Sequence, residues 1–238
     1  MELNTFKRRE IKYILNERQY ECLLTTAKSY MTPDLYCSNN NKYSIYNIYY
    51  DTANNEIIHN SLVSSCFKEK LRLRGYKPFS SPNDIVFLEI KKKINGIVSK
   101  RRATLKLWEA KLFIDTGKKP SMKSYMDLQV INEIEFFLQS NNVQPAVLIS
   151  YDRYAFFGKD NTDFRLTIDC NIQARRIKTF NDFCKPIVSD GQYIMELKIA
   201  DSIPLWLSSA MSELGIYSSS FSKYGVEYKD YLLNKNVS

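Results

Sequence analysis

The sequence predicts an α+β fold in which one domain is built on an antiparallel sheet. About eight segments alternate between apolar and polar residues, as strands do, and segments of helical period lie between them. No linker of the kind that separates domains interrupts the chain. With 238 residues and a hydrophobic content of 44%, the chain is long enough to bury a sizeable core.

The first elements follow from alternation and from a helix-capping signal. Residues 6–15 alternate between ionic and apolar side chains, which predicts a strand. Asn16 follows as an N-cap, and Gln19 completes a capping box for a helix that runs to Tyr30. Residues 31–42 are predicted to form a loop, and residues 43–51, rich in Tyr and Ile, a strand. A turn with a short helix is predicted over residues 51–64.

The centre of the chain predicts neighbouring strands over residues 67–76 and 84–94. Asn95-Gly96 is the signal of a type I′ turn, so residues 97–102 are expected to pair back on the preceding strand. The remaining predicted elements are helices over 104–113, 127–140, 204–214 and 222–233, and strands over 146–157, 164–168, 173–176 and 193–199.

Five of these strands have one apolar face and one ionic face. The ordinary interpretation is an antiparallel sheet with one face in the core and the other in water. Here, however, a Lys-x-Arg-x-Arg strand precedes a Lys-x-Lys strand, and like charges on neighbouring strands repel each other. A sheet rolled into a tunnel around polyanions relieves that repulsion, with helices covering its apolar outside. The ionic faces carry Arg8, Glu10 and Lys12; Lys70, Arg72 and Arg74; Glu89, Lys91 and Lys93; Arg165, Thr167 and Asp169; and Glu196 and Lys198.

Carboxylates share these faces with the cations, at Glu10, Glu89, Asp169 and Glu196. A carboxylate would repel a bound phosphate unless a hard divalent ion such as Mg²⁺ or Mn²⁺ bridged the two. The alternative is that these carboxylates form internal salt bridges with neighbouring Lys and Arg side chains. The alternation leaves both interpretations open.

Composition narrows the classes of function. The net charge of +8 points to polyanionic partners, without choosing among nucleic acid, anionic membrane and phosphate-rich small molecules. A single histidine and five scattered cysteines argue against a zinc site and a His-based triad, and indicate free thiols in a reducing cytoplasm. The chain contains no Gly-rich phosphate loop and no apolar run long enough to span a membrane. The 17 tyrosines could stack on nucleic-acid bases, but most occupy apolar strand positions and favour core packing.

Seven short motifs occur in order along the chain. They are Phe6-Lys7-Arg8-Arg9-Glu10-Ile11-Lys12-Tyr13, Tyr49-Tyr50-Asp51-Thr52, Lys70-Leu71-Arg72-Leu73-Arg74, Leu88-Glu89-Ile90-Lys91, Arg165-Leu166-Thr167-Ile168-Asp169, Met195-Glu196-Leu197-Lys198 and Phe221-Ser222-Lys223-Tyr224-Gly225. Together they resemble the VTC domain, the polyphosphate polymerase branch of the triphosphate tunnel metalloenzymes. The resemblance covers residues 6 to 231, and we treat residues 1–238 as a single domain of this kind.

The resemblance implies an eight-stranded antiparallel β-barrel, a tunnel lined with basic residues and flanked by helices. It implies that ATP and inorganic polyphosphate are the partners and that Mn²⁺ or Mg²⁺ is the cofactor. No nucleic-acid partner is expected, and whether a membrane protein is a partner is left open. Residue by residue, the motifs imply phosphate binding by Lys12, Arg72, Arg74, Lys91, Arg165 and Lys223 and metal binding by Glu196. Strand parity adds Lys93, Lys100, Arg102 and Lys198 to the phosphate-binding set and Glu10 to the metal-binding set.

One departure from the family bears on the reaction. Hydrolytic relatives carry Glu-x-Glu-x-Lys on the first strand, whereas the first position here is Arg8. The lost carboxylate favours phosphoryl transfer to a phosphate acceptor over hydrolysis, with Arg72, Arg74, Lys91 and Glu196 as the catalytic residues. The alternatives are a tripolyphosphatase or nucleoside triphosphatase of the same fold, and a polyphosphate- or RNA-binding module without catalysis. Eukaryotic members also carry an SPX domain and membrane helices, which we do not expect here.

Overall fold

The computed structural model describes residues 9–40, 42–64, 66–95, 97–122, 124–177, 183–200 and 202–235. The chain forms two compact units. The first comprises residues 1–44, 151–172 and 186–222, and the second comprises residues 45–150, 173–185 and 223–238.

The described residues form ten strands and six α-helices. The strands are β1 Arg9–Leu15, β2 Met31–Pro33, β3 Tyr43–Thr52, β4 Phe67–Gly75, β5 Ile85–Ile94, β6 Ile97–Lys106, β7 Val143–Gly158, β8 Arg165–Arg176, β9 Lys185–Pro186 and β10 Tyr193–Ile199. The helices are α1 Glu17–Tyr30, α2 Glu56–Val63, α3 Leu107–Thr116, α4 Tyr125–Ser140, α5 Leu205–Glu213 and α6 Lys223–Lys235, and a 3-10 helix spans Leu35–Asn40.

The strands pair antiparallel, which confirms the predicted fold class of a sheet with flanking helices. In the first unit β10 lies between β1 and β8, and in the second unit the order is β3-β4-β5-β6. Among the described residues, the order of paired strands is open within each unit. The expected closed eight-stranded barrel is therefore only an approximate description, and the short strands β2 and β9 were not predicted.

Each unit has its own hydrophobic core between strands and helices. In the first unit Leu166, Leu197 and other strand residues pack on Leu23 of α1 and Leu207 of α5. In the second unit the aliphatic face of β4–β6 packs on α3 and α4. The predicted covering of the apolar strand faces by helices is thus confirmed within each unit, and the opposite faces carry the ionic residues.

Several element boundaries differ from the predictions. The helix predicted from Thr104 begins only at Leu107, because Thr104 to Lys106 continue the ladder with β5. The strands predicted over 164–168 and 173–176 are one strand, in which Asn171 takes a left-handed conformation with φ of 51°. Strand β6 pairs back on β5 as expected, from Ile94 and Ile97 onwards. Gly96 of the predicted turn lies outside the described residues.

Candidate functional site

The ionic face of β4, β5 and β6 in the second unit is strongly cationic. The strand register places Lys70 beside Lys91, and Lys91 beside Lys100, so three lysines form one row across the sheet. In the next row Glu89 lies between Arg72 and Arg102. Over the described residues of these strands, the face carries one carboxylate, Glu89, and nine cations: Lys68, Lys70, Arg72, Arg74, Lys91, Lys93, Lys100, Arg102 and Lys106.

Glu89 is the counter-ion of this face. It is 1% exposed, and its carboxylate lies 2.7 Å from Arg72 Nε, 2.8 Å from Lys100 Nζ and 3.7 Å from Arg74 Nε. Burial alone would raise the pKa of Glu89, but the charges of these three cations hold it well below its ordinary value. Of the two roles that the sequence left open for Glu89, the geometry favours charge compensation.

Neutral partners fix the two arginines of this cluster. Asn47 on β3 is fully buried and accepts a hydrogen bond from Arg74 Nε through its side-chain oxygen at 3.0 Å. The Tyr49 hydroxyl accepts one from Arg72 Nη1 at 3.2 Å. Both guanidinium groups are therefore held in defined orientations, which is the condition for binding phosphate bidentately.

Lys100 is a cation of this face whose pKa is strongly lowered. Desolvation lowers its pKa to about 7, with the neighbouring Arg72 and Arg74 charges acting in the same direction and Glu89 opposing them. The Lys100 side chain is about one-third exposed, at 32%. Its ammonium group therefore gains or loses charge near neutral pH, and a bound anion would favour the charged form.

The other predicted cations of the second unit are more exposed or lie on a helix. Lys93 and Arg102 are exposed, and the Arg102 guanidinium lies 4.7 Å from the centre of the Phe87 ring. Lys223 is partly buried and is the first residue of α6. An anion in the solvent can reach the two exposed side chains, Lys93 and Arg102.

The ionic face of the first unit contains a pair of carboxyl groups, Glu10 on β1 and Glu196 on β10. The two share a hydrogen bond, and Lys198 Nζ lies 3.8 Å from Glu10 and 3.5 Å from Glu196. Burial would raise the pKa of Glu196, but the hydrogen bond with Glu10 and the charges of Lys198, Lys12 and Arg153 hold it well below its ordinary value. Glu196 is thus an anion surrounded by cations.

The remaining cations of this face are each engaged with the protein. Lys12 donates a hydrogen bond from its ammonium to the main-chain oxygen of Phe221 at 2.9 Å. Arg165 pairs with Asp34 at 3.0 Å, so it is partly neutralised. In contrast to the second unit, the acids of this face nearly balance its bases.

Residues that the sequence did not single out complete both clusters. Arg153 on β7 forms a two-pronged ion pair with Asp169, with distances of 2.6 and 2.9 Å. Asp169 is therefore a salt-bridge partner of Arg153 in this structure. The alternation of residues in the long strand β7 could have indicated the face of the sheet on which Arg153 lies. Asp34 and Asn47 carry no sequence signal of their roles.

Two of the motif residues hold helices in place. Asp51 is fully buried and accepts hydrogen bonds from the backbone amides of Thr52, Ile57 and Ile58, at 2.8 to 3.0 Å. It also accepts one from the Tyr224 hydroxyl at 2.7 Å. Asp51 therefore links the start of α2 to the first turn of α6, where Lys223 lies.

The carboxyl pair is the best-placed candidate for a divalent ion. Among the described residues, no group of three or more His, Cys, Asp or Glu side chains is poised to bind a metal. Two carboxylates nevertheless fit Mg²⁺, which proteins usually bind through one or two carboxylates together with waters and substrate phosphates. A divalent cation held between the two carboxyl groups would offset the charge of both. Arg8, on which the comparison with hydrolytic relatives depended, lies outside the described residues.

The fold and these clusters define an α+β protein whose antiparallel strands present ionic side chains suited to phosphate groups. The sequence matches the VTC domain family over residues 7–231, so the chain belongs to that family and the resemblance is confirmed. A comparison with curated proteins finds no match.

Two solved structures share the fold. One is a putative adenylate cyclase from Bacillus halodurans, with 12% identity, a TM-score of 0.54, and coverage of 91% of this chain and 95% of that chain. The other is a putative adenylyl cyclase from Hippeastrum with a dominant triphosphatase activity, with 15% identity, a TM-score of 0.55, and coverage of 93% and 95%. At these identities the similarity shows the fold alone. Over the part of the chain that the structure describes, no helix is long and apolar enough to span a membrane.

Proposed function

We propose that the protein is a metal-dependent polyphosphate polymerase that transfers the γ-phosphate of ATP to a growing inorganic polyphosphate chain. The observation that carries the proposal is the face of β4–β6, on which nine cations accompany one carboxylate. So many like charges on adjacent strands are unfavourable unless a polyanion binds them. Membership of the VTC domain family supports the same substrate class.

The residues divide into two functional groups. Arg72, Arg74 and Lys91 bind the triphosphate of ATP, and the orientation of the two arginines by Asn47 and Tyr49 suits them to this role. Phosphate groups of ATP or of the polymer are bound by a wider set of cations, which comprises Lys12, Lys93, Lys100, Arg102, Arg165, Lys198 and Lys223.

Glu196 and Glu10 would hold the divalent ion, Mn²⁺ or Mg²⁺. When bound, the ion supplies positive charge that offsets the negative charge of phosphate oxygens. Lys198 contacts both carboxyl groups and keeps them together when no ion is bound.

The reaction needs no protein nucleophile. A terminal oxygen of the polyphosphate chain forms a bond to the γ-phosphorus, and the bond from that phosphorus to the β,γ-bridging oxygen breaks, which releases ADP. Phosphoryl transfer depends mainly on positioning and charge stabilisation, and fixed arginines provide both.

The test is to incubate the purified protein with ATP and Mn²⁺ and to analyse the products on a urea gel. We expect long polymer, and free orthophosphate without polymer would contradict the proposal. Arg72→Ala combined with Arg74→Ala should abolish polymer formation. Arg101→Ala is the matched control, because Arg101 lies on the opposite face of β6 and pairs with Glu133 of α4.

The second candidate function is hydrolysis of tripolyphosphate or a nucleoside triphosphate on the same scaffold. The triphosphatase activity of the Hippeastrum protein favours it. The same gel distinguishes the two, because a hydrolase releases orthophosphate and makes no polymer. A module that only binds polyanions would show no turnover with any divalent metal.

A further inference from the structure

Thr167 on β8 carries a buried hydroxyl that makes no hydrogen bond with the described residues. The residue is 2% exposed, and no atom of the described residues forms a hydrogen bond with its Oγ1. Buried hydroxyl groups in proteins nearly always have a partner, because burial without one costs free energy.

The position of Thr167 places this hydroxyl on the ionic face of the first unit. Its neighbours Leu166 and Ile168 are fully buried in the core against the helices, so Thr167 points the other way. The register sets Thr167 beside Glu196, and Glu196 beside Lys12. Directly opposed side chains on adjacent antiparallel strands are close enough to contact a common ligand.

A structural role does not account for the hydroxyl. Valine has nearly the same shape and an equal preference for strands, and it would fill the same space without an unpaired polar group. Glu196 is next to Thr167 in the register, but no hydrogen bond joins the Thr167 hydroxyl to its carboxylate. The missing partner is therefore an acceptor that the described part of the chain does not supply.

We propose that Thr167 donates a hydrogen bond from its hydroxyl to a phosphate oxygen of the polyphosphate or nucleotide bound on this face. The inference rests on the proposed function, since it takes a phosphate chain as the ligand. A hydroxyl donor beside an acidic residue complements the cations, because it contacts a phosphate oxygen without adding charge.

The test compares Thr167→Val with the unaltered protein, using tripolyphosphate as the probe with and without Mn²⁺. We expect the Kd measured by titration calorimetry to rise about tenfold, the effect of losing one hydrogen bond to a charged acceptor. The melting temperature of the ligand-free protein should stay the same or rise, because the unpaired hydroxyl is gone. Thr167→Ser keeps the hydroxyl and should bind within about twofold of the original affinity.

Ser61→Ala is the matched control. Ser61 on α2 is also buried with a hydroxyl that has no partner among the described residues, but it lies outside the ionic faces. This variant should leave the Kd unchanged.

Unchanged binding by Thr167→Val, or a lower melting temperature together with weaker binding, would overturn the inference. Tripolyphosphate binding that depends on Thr167, in a protein that makes no polymer, would uphold the inference and contradict the polymerase proposal. Failure of the unaltered protein to bind tripolyphosphate would overturn both.

Discussion

At the scale of single residues, Glu89 balances the charge of the cationic face. Its carboxylate contacts Arg72, Arg74 and Lys100, and almost no solvent reaches it. A buried ion cluster adds little net stability, but removing one of its members lowers stability strongly, because the remaining charges stay desolvated without a counter-ion. Glu89 should therefore matter more for folding than for contact with the substrate.

We predict that Glu89→Gln lowers the free energy of unfolding by about 3 kcal/mol, since three cations lose their shared counter-ion. Tripolyphosphate should restore much of the loss by supplying negative charge to the same cations. Thermal unfolding with and without tripolyphosphate measures both effects. The control is Glu133→Gln, which removes a more exposed carboxylate that pairs with Lys92 and Arg101. If Glu89→Gln instead weakened Mn²⁺ binding without loss of stability, Glu89 would be a metal ligand.

Lys100 provides a prediction about pH. Its pKa is lowered to about 7 from an ordinary value of 10.5, so in the free protein it is largely neutral above neutral pH. Bound phosphate favours the charged form, so binding of tripolyphosphate at pH 8 should take up a proton. Titration calorimetry in buffers of different ionisation enthalpy measures this uptake, and Lys100→Met should abolish it. Equal proton uptake by both proteins would contradict the prediction.

The lowered pKa of Lys100 also determines how the stability of the folded protein changes with pH. Between pH 7 and 10.5 the unfolded chain binds more protons at this lysine than the folded protein does. Lys100 therefore lowers the free energy of unfolding most below pH 7, and this destabilising effect disappears as the pH rises from 7 to 10.5. The stability of Lys100→Met relative to the unaltered ligand-free protein should therefore be more favourable at pH 6 than at pH 9.

At the scale of elements, a buried hydrogen bond helps to hold α6 in place. The Tyr224 hydroxyl donates to Asp51, and its ring stacks on Tyr49 with the ring centres 5.0 Å apart. Tyr49 in turn accepts a hydrogen bond from Arg72. The attachment of α6 and the orientation of a phosphate-binding arginine thus share one set of contacts within the second unit.

Tyr224→Phe should lower the free energy of unfolding by about 1.5 to 3 kcal/mol, the typical value of a hydrogen bond to a charged group. Hydrogen exchange should accelerate in α6, and tripolyphosphate should bind more weakly because Lys223 begins that helix. Tyr231→Phe, on the same helix, is the control, because the Tyr231 ring packs on Arg176 and phenylalanine keeps that packing. An equal loss of stability in both variants would show that the hydroxyl of Tyr224 has no special role.

Some elements could be predicted from local signals and others could not. The capping box of Asn16 and Gln19 correctly marks the start of α1, because both of its hydrogen bonds are local. The start of α3 could not be predicted from the residues that precede it. Thr104 to Lys106 remain in the strand because β5 offers hydrogen-bond partners to them, and the pairing partner is distant in sequence.

At the scale of the whole molecule, charge is distributed unevenly between the two described units. The strands β4–β6 of the second unit present a large excess of cations, whereas acids and bases nearly balance on the ionic face of the first. The second unit should therefore provide most of the electrostatic attraction for polyanions.

We predict that binding of long polyphosphate weakens steeply between 0.05 and 0.5 M salt, because screening shortens the reach of charges on this face. Lys68→Gln combined with Lys93→Gln should raise the Kd for long polyphosphate about three- to tenfold, with a smaller effect on tripolyphosphate. Lys118→Gln combined with Lys229→Gln removes two exposed lysines elsewhere and is the control. Equal effects of the two double variants on affinity would mean that only net charge matters.

The sequence by itself determined the fold class, the family and the faces on which the charged residues lie. It could do so because alternation, capping and turn signals are local, and because the seven motifs keep their order. Only the tertiary structure decided which charges neutralise each other. Glu89 meets Arg72 and Lys100, Asp169 meets Arg153, and Glu10 meets Glu196, all through strand pairing between distant segments. The alternation along a strand assigns each side chain to one face of the sheet. The register of neighbouring strands and the burial of the side chain determine its partner and therefore its charge.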